Sequence, residues 1–99
     1  MRRPRVVKII GKSYSVDFFR QIPTGVAGRT NSRRQQIQVA TRRRHREYQR
    51  DTLLHETIHA LDYQMSLGLR ERQVHALASG LTQVLWDNPV LARYLLDHE

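Results

Sequence analysis

Leu53-Leu54-His55-Glu56-Thr57-Ile58-His59-Ala60-Leu61-Asp62 sets the pattern H-E-x-x-H inside a stretch with helical periodicity. At 3.6 residues per turn, His55 and His59 lie one turn apart and about 40° around the axis, so both imidazoles can converge on one ion. Glu56 lies about 100° from His55, too far round to join them but placed to hold a water bound to that ion. It is the candidate general base. Leu54, Ile58, Leu61 and Met65 recur at the i, i+4, i+7, i+11 spacing of a buried stripe, which predicts a helix resting on a core with its histidines at the edge.

Ninety-nine residues predict a single domain, 1-99, with strands and a basic loop in 1-45 and a helical zinc-binding part in 46-99. A chain this short buries a modest core, to which a bound metal adds stability. Cysteine is absent, which excludes disulfides and thiolate-bound zinc and leaves His, Asp and Glu as the strong ligands. The apolar run Val6, Val7, Ile9, Ile10 is interrupted by Lys8 and is too short for a secretory segment. No stretch approaches transmembrane length, so the expectation is a cytoplasmic protein without a membrane partner.

Charge is unevenly divided. Residues 1 to 50 carry fourteen Lys and Arg against Asp17 and Glu47, a net of +12, while residues 51 to 99 carry three Arg against seven acids, a net of −4; together they give the overall +8. Arg29, Arg33, Arg34, Arg42, Arg43 and Arg44 are thereby candidates for polyanion binding, nucleic acid included, against the plainer reading of a solvated arginine-rich surface.

Val6 to Ile10 is rich in β-branched residues and ends at Gly11-Lys12; Tyr14, Val16 and Phe18 then alternate with polar neighbours. Two strands in a hairpin are expected. Arg20 to Arg34, with Pro23, Gly25, Gly28, Asn31 and few apolar residues, reads as a long loop. Gln36 to Ala40 is a short third strand. Gly68 is the expected stop of the motif helix. Val74, Leu77, Ala78, Leu81 and Leu85 mark the buried face of a second helix, and Asn88-Pro89 opens a third with Leu91, Tyr94 and Leu95 on its apolar side. The order predicts an α+β fold, a small antiparallel or mixed three-stranded sheet packed on the motif helix and two further helices.

A catalytic zinc site takes three protein ligands and leaves one position for water. Glu71 is the choice for the third. It follows His59 by twelve residues, across the Gly68 turn, and sits beside the buried stripe of the second helix. His75, one turn further on, is its rival, as a third histidine ligand, a hydrogen-bond partner of a ligand or a support for an oxyanion. Asp62 lies about 10 Å along the helix from His55 and suits orienting an imidazole better than binding the ion. Tyr48, Tyr63 and Tyr94 are further candidates for oxyanion support.

The run from Thr52 to Pro89, with H-E-T-I-H-A-L-D, L-G-L-R-E-R-Q-V-H-A-L-A-S-G-L and D-N-P, resembles small bacterial and phage proteins of the ImmA/IrrE-like zinc metallopeptidase group. That group pairs H-E-x-x-H with a later E-x-x-A-N-x-F-A-like segment. Glu71, Val74, His75, Leu77 and Ala78 fall on it, with Val74 for alanine and His75 for asparagine. The resemblance implies a zincin-like minimal domain with His55, His59 and Glu71 on Zn2+ and Glu56 as base, and a strand at Gln36 to Ala40 bordering the substrate cleft. The expected function is hydrolysis of a peptide bond in a protein or peptide substrate. The alternative is a zinc-binding module for nucleic acid or protein, with a structural or vestigial metal.

Overall fold

The computed structural model describes residues 2-97. The elements in chain order are β1 (Val6–Ile9), β2 (Lys12–Phe19), a 3-10 turn (Pro23–Gly25), β3 (Gly28–Asn31), β4 (Gln36–Ala40), α1 (Arg46–Met65), α2 (Glu71–Asp87) and α3 (Pro89–Leu96). The fold is α+β, as expected.

β1 and β2 form the expected hairpin. Ile10 and Gly11 make its turn with φ of 47° and 80°. Positive φ at both central residues gives a turn whose twist matches that of the flanking strands, and a β-branched residue at the first of them holds local strain. The sheet has four strands in the order β1-β2-β4-β3, with β1–β2 and β3–β4 antiparallel and β2–β4 parallel.

The fourth strand corrects the sequence reading, because β3 lies within the stretch expected to be loop. Gly-Arg-Thr-Asn has no apolar residue and hence no alternation to read; it is a strand because the edge of β4 accepts its backbone. β4 is therefore interior, between β2 and β3, and β3 is an edge strand of the sheet.

Ile9, Tyr14, Val16, Ile37 and Val39 of the sheet pack with Ala60 of α1 and with half-buried Leu53 and Leu61. A second cluster joins Ile58 to Val74 and Ala78 of α2, with Leu54 and Leu69 against it. The single stripe expected on α1 is thus split in two. The helix is held between the sheet and α2, so Leu61 goes to the sheet while Leu54 and Ile58 go to α2, and Met65, 52% exposed, goes to neither.

Ser66, with φ 52°, supplies the left-handed residue that ends α1 two positions before Gly68, and Leu67 N–H bonds Asp62 O at 3.1 Å. Only the first turns of α2 are covered. Val74 and Ala78 are buried as expected, but Leu77, Leu81 and Leu85 are at least 40% exposed, because α2 runs past the end of α1's packing surface. α3 packs on α2 alone, which leaves Leu91, Tyr94 and Leu95 exposed. No helix among the described residues is long and apolar enough to cross a membrane.

This division of burial has a measurable consequence. Ile37→Ala, emptying a fully buried position between sheet and helix, should lower unfolding stability by about 2–5 kcal/mol. Leu81→Ala should cost about 1 kcal/mol or less. Urea melts of the two variants beside wild type check the contrast; equal losses would mean that the face of α2 is buried after all.

Candidate metal centre

The centre is assembled by the α1–α2 connection. Asp62 Oδ1 accepts the Leu69 N–H at 3.1 Å, which turns the chain back across the end of α1, and Gln73 Oε1 accepts the Arg70 N–H at 2.8 Å, which starts α2. Val74 and Ala78 then dock on Ile58. Glu71, in the first turn of α2, is brought against the histidine pair. Its Oε1 lies 2.7 Å from His55 Nε2 and its Oε2 2.8 Å from His59 Nε2. The two Nε2 atoms are 3.2 Å apart.

These atoms suit a cation better than they suit one another. Two imidazole nitrogens facing each other at 3.2 Å cannot both carry a proton without opposing two donors, and besides each other they face the Glu71 carboxylate. Zinc with ligand atoms about 2.0–2.1 Å away in a tetrahedron separates them by about 3.3 Å, so small rotations of three side chains suffice to admit it. Two nitrogens and a carboxylate are a donor set zinc accepts. They are also the set of described His and acidic side chains whose atoms converge closely enough for an ion.

Glu56 is not part of that set. It points between α1 and β3 and is 6% exposed. The Thr30 hydroxyl donates to its Oε1 at 2.8 Å and also lies 3.0 Å from its backbone oxygen. Burial pushes the Glu56 carboxyl above its ordinary pKa of 4.5, against the Thr30 hydrogen bond and the two histidines, which pull it down, and with Glu71, which adds to the rise.

The close approach of β3 to Glu56 depends on Gly28. A Cβ there would lie 2.6 Å from Thr52 Cγ2, 3.0 Å from Gln38 O and 3.1 Å from Glu56 Cγ. A side chain has no room.

A cavity of about 730 Å³ runs over the centre, lined by His55, Glu56, His59 and Glu71 and by residues of β3. His75 lines it too, its ring 6.1 Å from that of His55 and outside the three-ligand cluster. Asp62 also faces the cavity, but its side chain accepts the Leu69 N–H rather than an imidazole N–H, so it shapes the α1–α2 connection. Tyr48 and Tyr63 line the cavity; Tyr94, on α3 and 78% exposed, does not.

The six arginines do not form one patch. Arg29 lies on β3, Arg33 and Arg34 stand at the β3–β4 turn, and Arg42, Arg43 and Arg44 precede α1.

Sequence reasoning missed Thr30, Gly28 and Asp51. The first two were hidden with β3. Asp51 lines the cavity with its Oδ1 buried and unbonded among the described residues; its place one turn before His55 was the available signal. Comparison with protein-family models, curated proteins and solved structures gave no match.

Two measurements follow from Glu56 and its neighbour. A carboxyl raised by burial contributes stability that is intact below about pH 4.5 and is lost as pH rises through its folded pKa. Metal-free Glu56→Gln, which keeps an acceptor for Thr30, should therefore melt higher than metal-free wild type at pH 7, the gap closing below the ordinary carboxylate range. Gly28→Ala should lose about 1–3 kcal/mol through overpacking against Thr52 and Glu56. Thermal melts across pH read both, and an unaffected Gly28→Ala would show that β3 stands further from α1.

Proposed function

We propose that the protein is a zinc-dependent peptidase, with His55, His59 and Glu71 holding the ion and Glu56 acting as general base. The observation that carries the reading is a buried, raised carboxyl beside a converging His, His, Glu set. A purely structural ion would gain nothing from it, whereas a base works best when its pKa moves toward the working pH. Bound zinc would lower the pKa of a water and polarise the scissile carbonyl.

The chain supplies the remaining steps. Glu56 accepts the proton of the attacking water and hands it to the leaving amine. Thr30 holds one Glu56 oxygen, so the carboxyl keeps one orientation through both transfers. β3 orients the substrate. Ala40 N–H bonds Ala27 O, and the alternation of an antiparallel ladder then turns the backbone groups of Gly28 and Thr30 to the outer edge of the sheet, over the cavity. An extended peptide can add there as a further strand. Tyr48, Tyr63 and His75 face the same space and are the groups available to an oxyanion.

The test is Glu56→Gln against Glu71→Ala, each assayed for zinc content and for cleavage of a peptide library read by mass spectrometry. Glu56→Gln should keep about one zinc per chain and lose at least about 10²-fold in cleavage rate. Glu71→Ala should lose metal and cleavage together. Cleavage by Glu56→Gln at the wild-type rate would remove Glu56 from the mechanism, and a wild-type protein that takes up no zinc at neutral pH would remove the whole reading.

A further inference from the structure

The two arginine clusters stand at opposite ends of the cleft that holds the metal centre. Val26 and Tyr48 line both the central cavity and the one bounded by Arg42, Arg43 and Arg44. Arg29, Thr30, Ser32 and Tyr63 line both the central cavity and the one bounded by Arg33 and Arg34. The three spaces form one trough beside β3, basic at each end. Its centre holds the histidine pair together with Asp51, Glu56, Asp62 and Glu71. Arg44 lies over the Tyr48 ring at 5.9 Å, which fixes one basic end against the central cavity. Among the described residues, none of the six arginines is in an ion pair with a carboxylate.

We propose, building on the peptidase reading, that the trough selects polypeptide segments with carboxylates on both sides of the bond to be cleaved. Unpaired arginines at the two ends match acidic side chains, and the exposed edge of β3 between them matches an extended backbone. A nucleic-acid strand fits this pattern less well. Its phosphate oxygens only accept hydrogen bonds, so they match one of the two kinds of backbone group that the β3 edge presents.

The test measures binding apart from cleavage. Fluorescein-labelled twelve-residue peptides of Ala and Gly, carrying three Glu at both ends, at one end, in the middle, or three Lys at both ends, are titrated against zinc-loaded Glu56→Gln by anisotropy. A single-stranded oligodeoxynucleotide of equal charge serves as competitor. The two-ended acidic peptide should bind at least about tenfold tighter than the middle-acidic peptide, and the one-ended peptide, equal in charge to the middle-acidic one, should also bind tighter than it; the Lys peptide should bind weakest.

Reversing Arg33 and Arg34 to Glu should erase the advantage of one acidic end, and reversing Arg42 and Arg43 to Glu that of the other. Reversing Lys8 and Lys12 to Glu changes net charge equally but lies on the far hairpin, and should shift affinity less than twofold. Equal binding of all acidic peptides, equal effects of the three reversals, or stronger binding of the oligonucleotide than of the two-ended peptide would overturn the proposal. With zinc-loaded wild type, cleavage of neutral and two-ended peptides at equal rates would overturn it while leaving the peptidase reading intact. Tight binding of the two-ended peptide without cleavage would support the selectivity and overturn the peptidase reading.

Discussion

Glu71 reaches both imidazoles of α1 only because α2 is docked on that helix by Val74, Ala78 and Ile58, two of which have no exposed surface at all. The carboxylate itself is exposed, on a side chain with several rotatable bonds, and would gain little from an isolated ion pair with histidine. What gives its position value is the packing beneath it. A small apolar contact one turn along α2 fixes the angle between the helices, and the Asp62 bond to Leu69 N–H fixes the connection. Together they turn a two-histidine helix into a three-donor cluster.

The sheet does the corresponding work for the base. β3 contributes a glycine and a threonine to its contact with α1. The glycine lets the strand come within reach of Glu56, and the threonine ends that approach in a hydrogen bond to the carboxyl. The carboxyl is thereby removed from water, and its pKa rises because ionisation loses solvation that one hydroxyl and two histidines do not fully replace. The His55, His59, Glu71 cluster and Glu56 are thus positioned by different contacts on different faces of the helix pair.

Much of this was legible in the chain. His55, His59 and Glu71 come together where helical periodicity and the turn between helices put them, because local geometry decides such spacings. The hairpin, β4 and the starts of α2 and α3 were readable for the same reason. β3 was not, since Gly-Arg-Thr-Asn carries no hydrophobic pattern and is a strand only through its neighbour β4. With it were lost Thr30, Gly28 and the identity of the edge strand. Periodicity also overstated burial. It marks an apolar face on α2 and α3, but whether anything covers that face depends on how far the rest of a short chain extends.

The central claim is that two imidazoles and one carboxylate form an open three-ligand zinc site beside a separate base. X-ray absorption at the zinc edge of the loaded protein tests it most directly. The account expects four-coordinate zinc with two imidazoles and two oxygen donors at about 2.0–2.2 Å, one of those oxygens exchangeable by a small anion. A spectrum with three imidazoles would place His75 on the ion in contradiction of this geometry, and four protein ligands with no exchangeable position would contradict an open site.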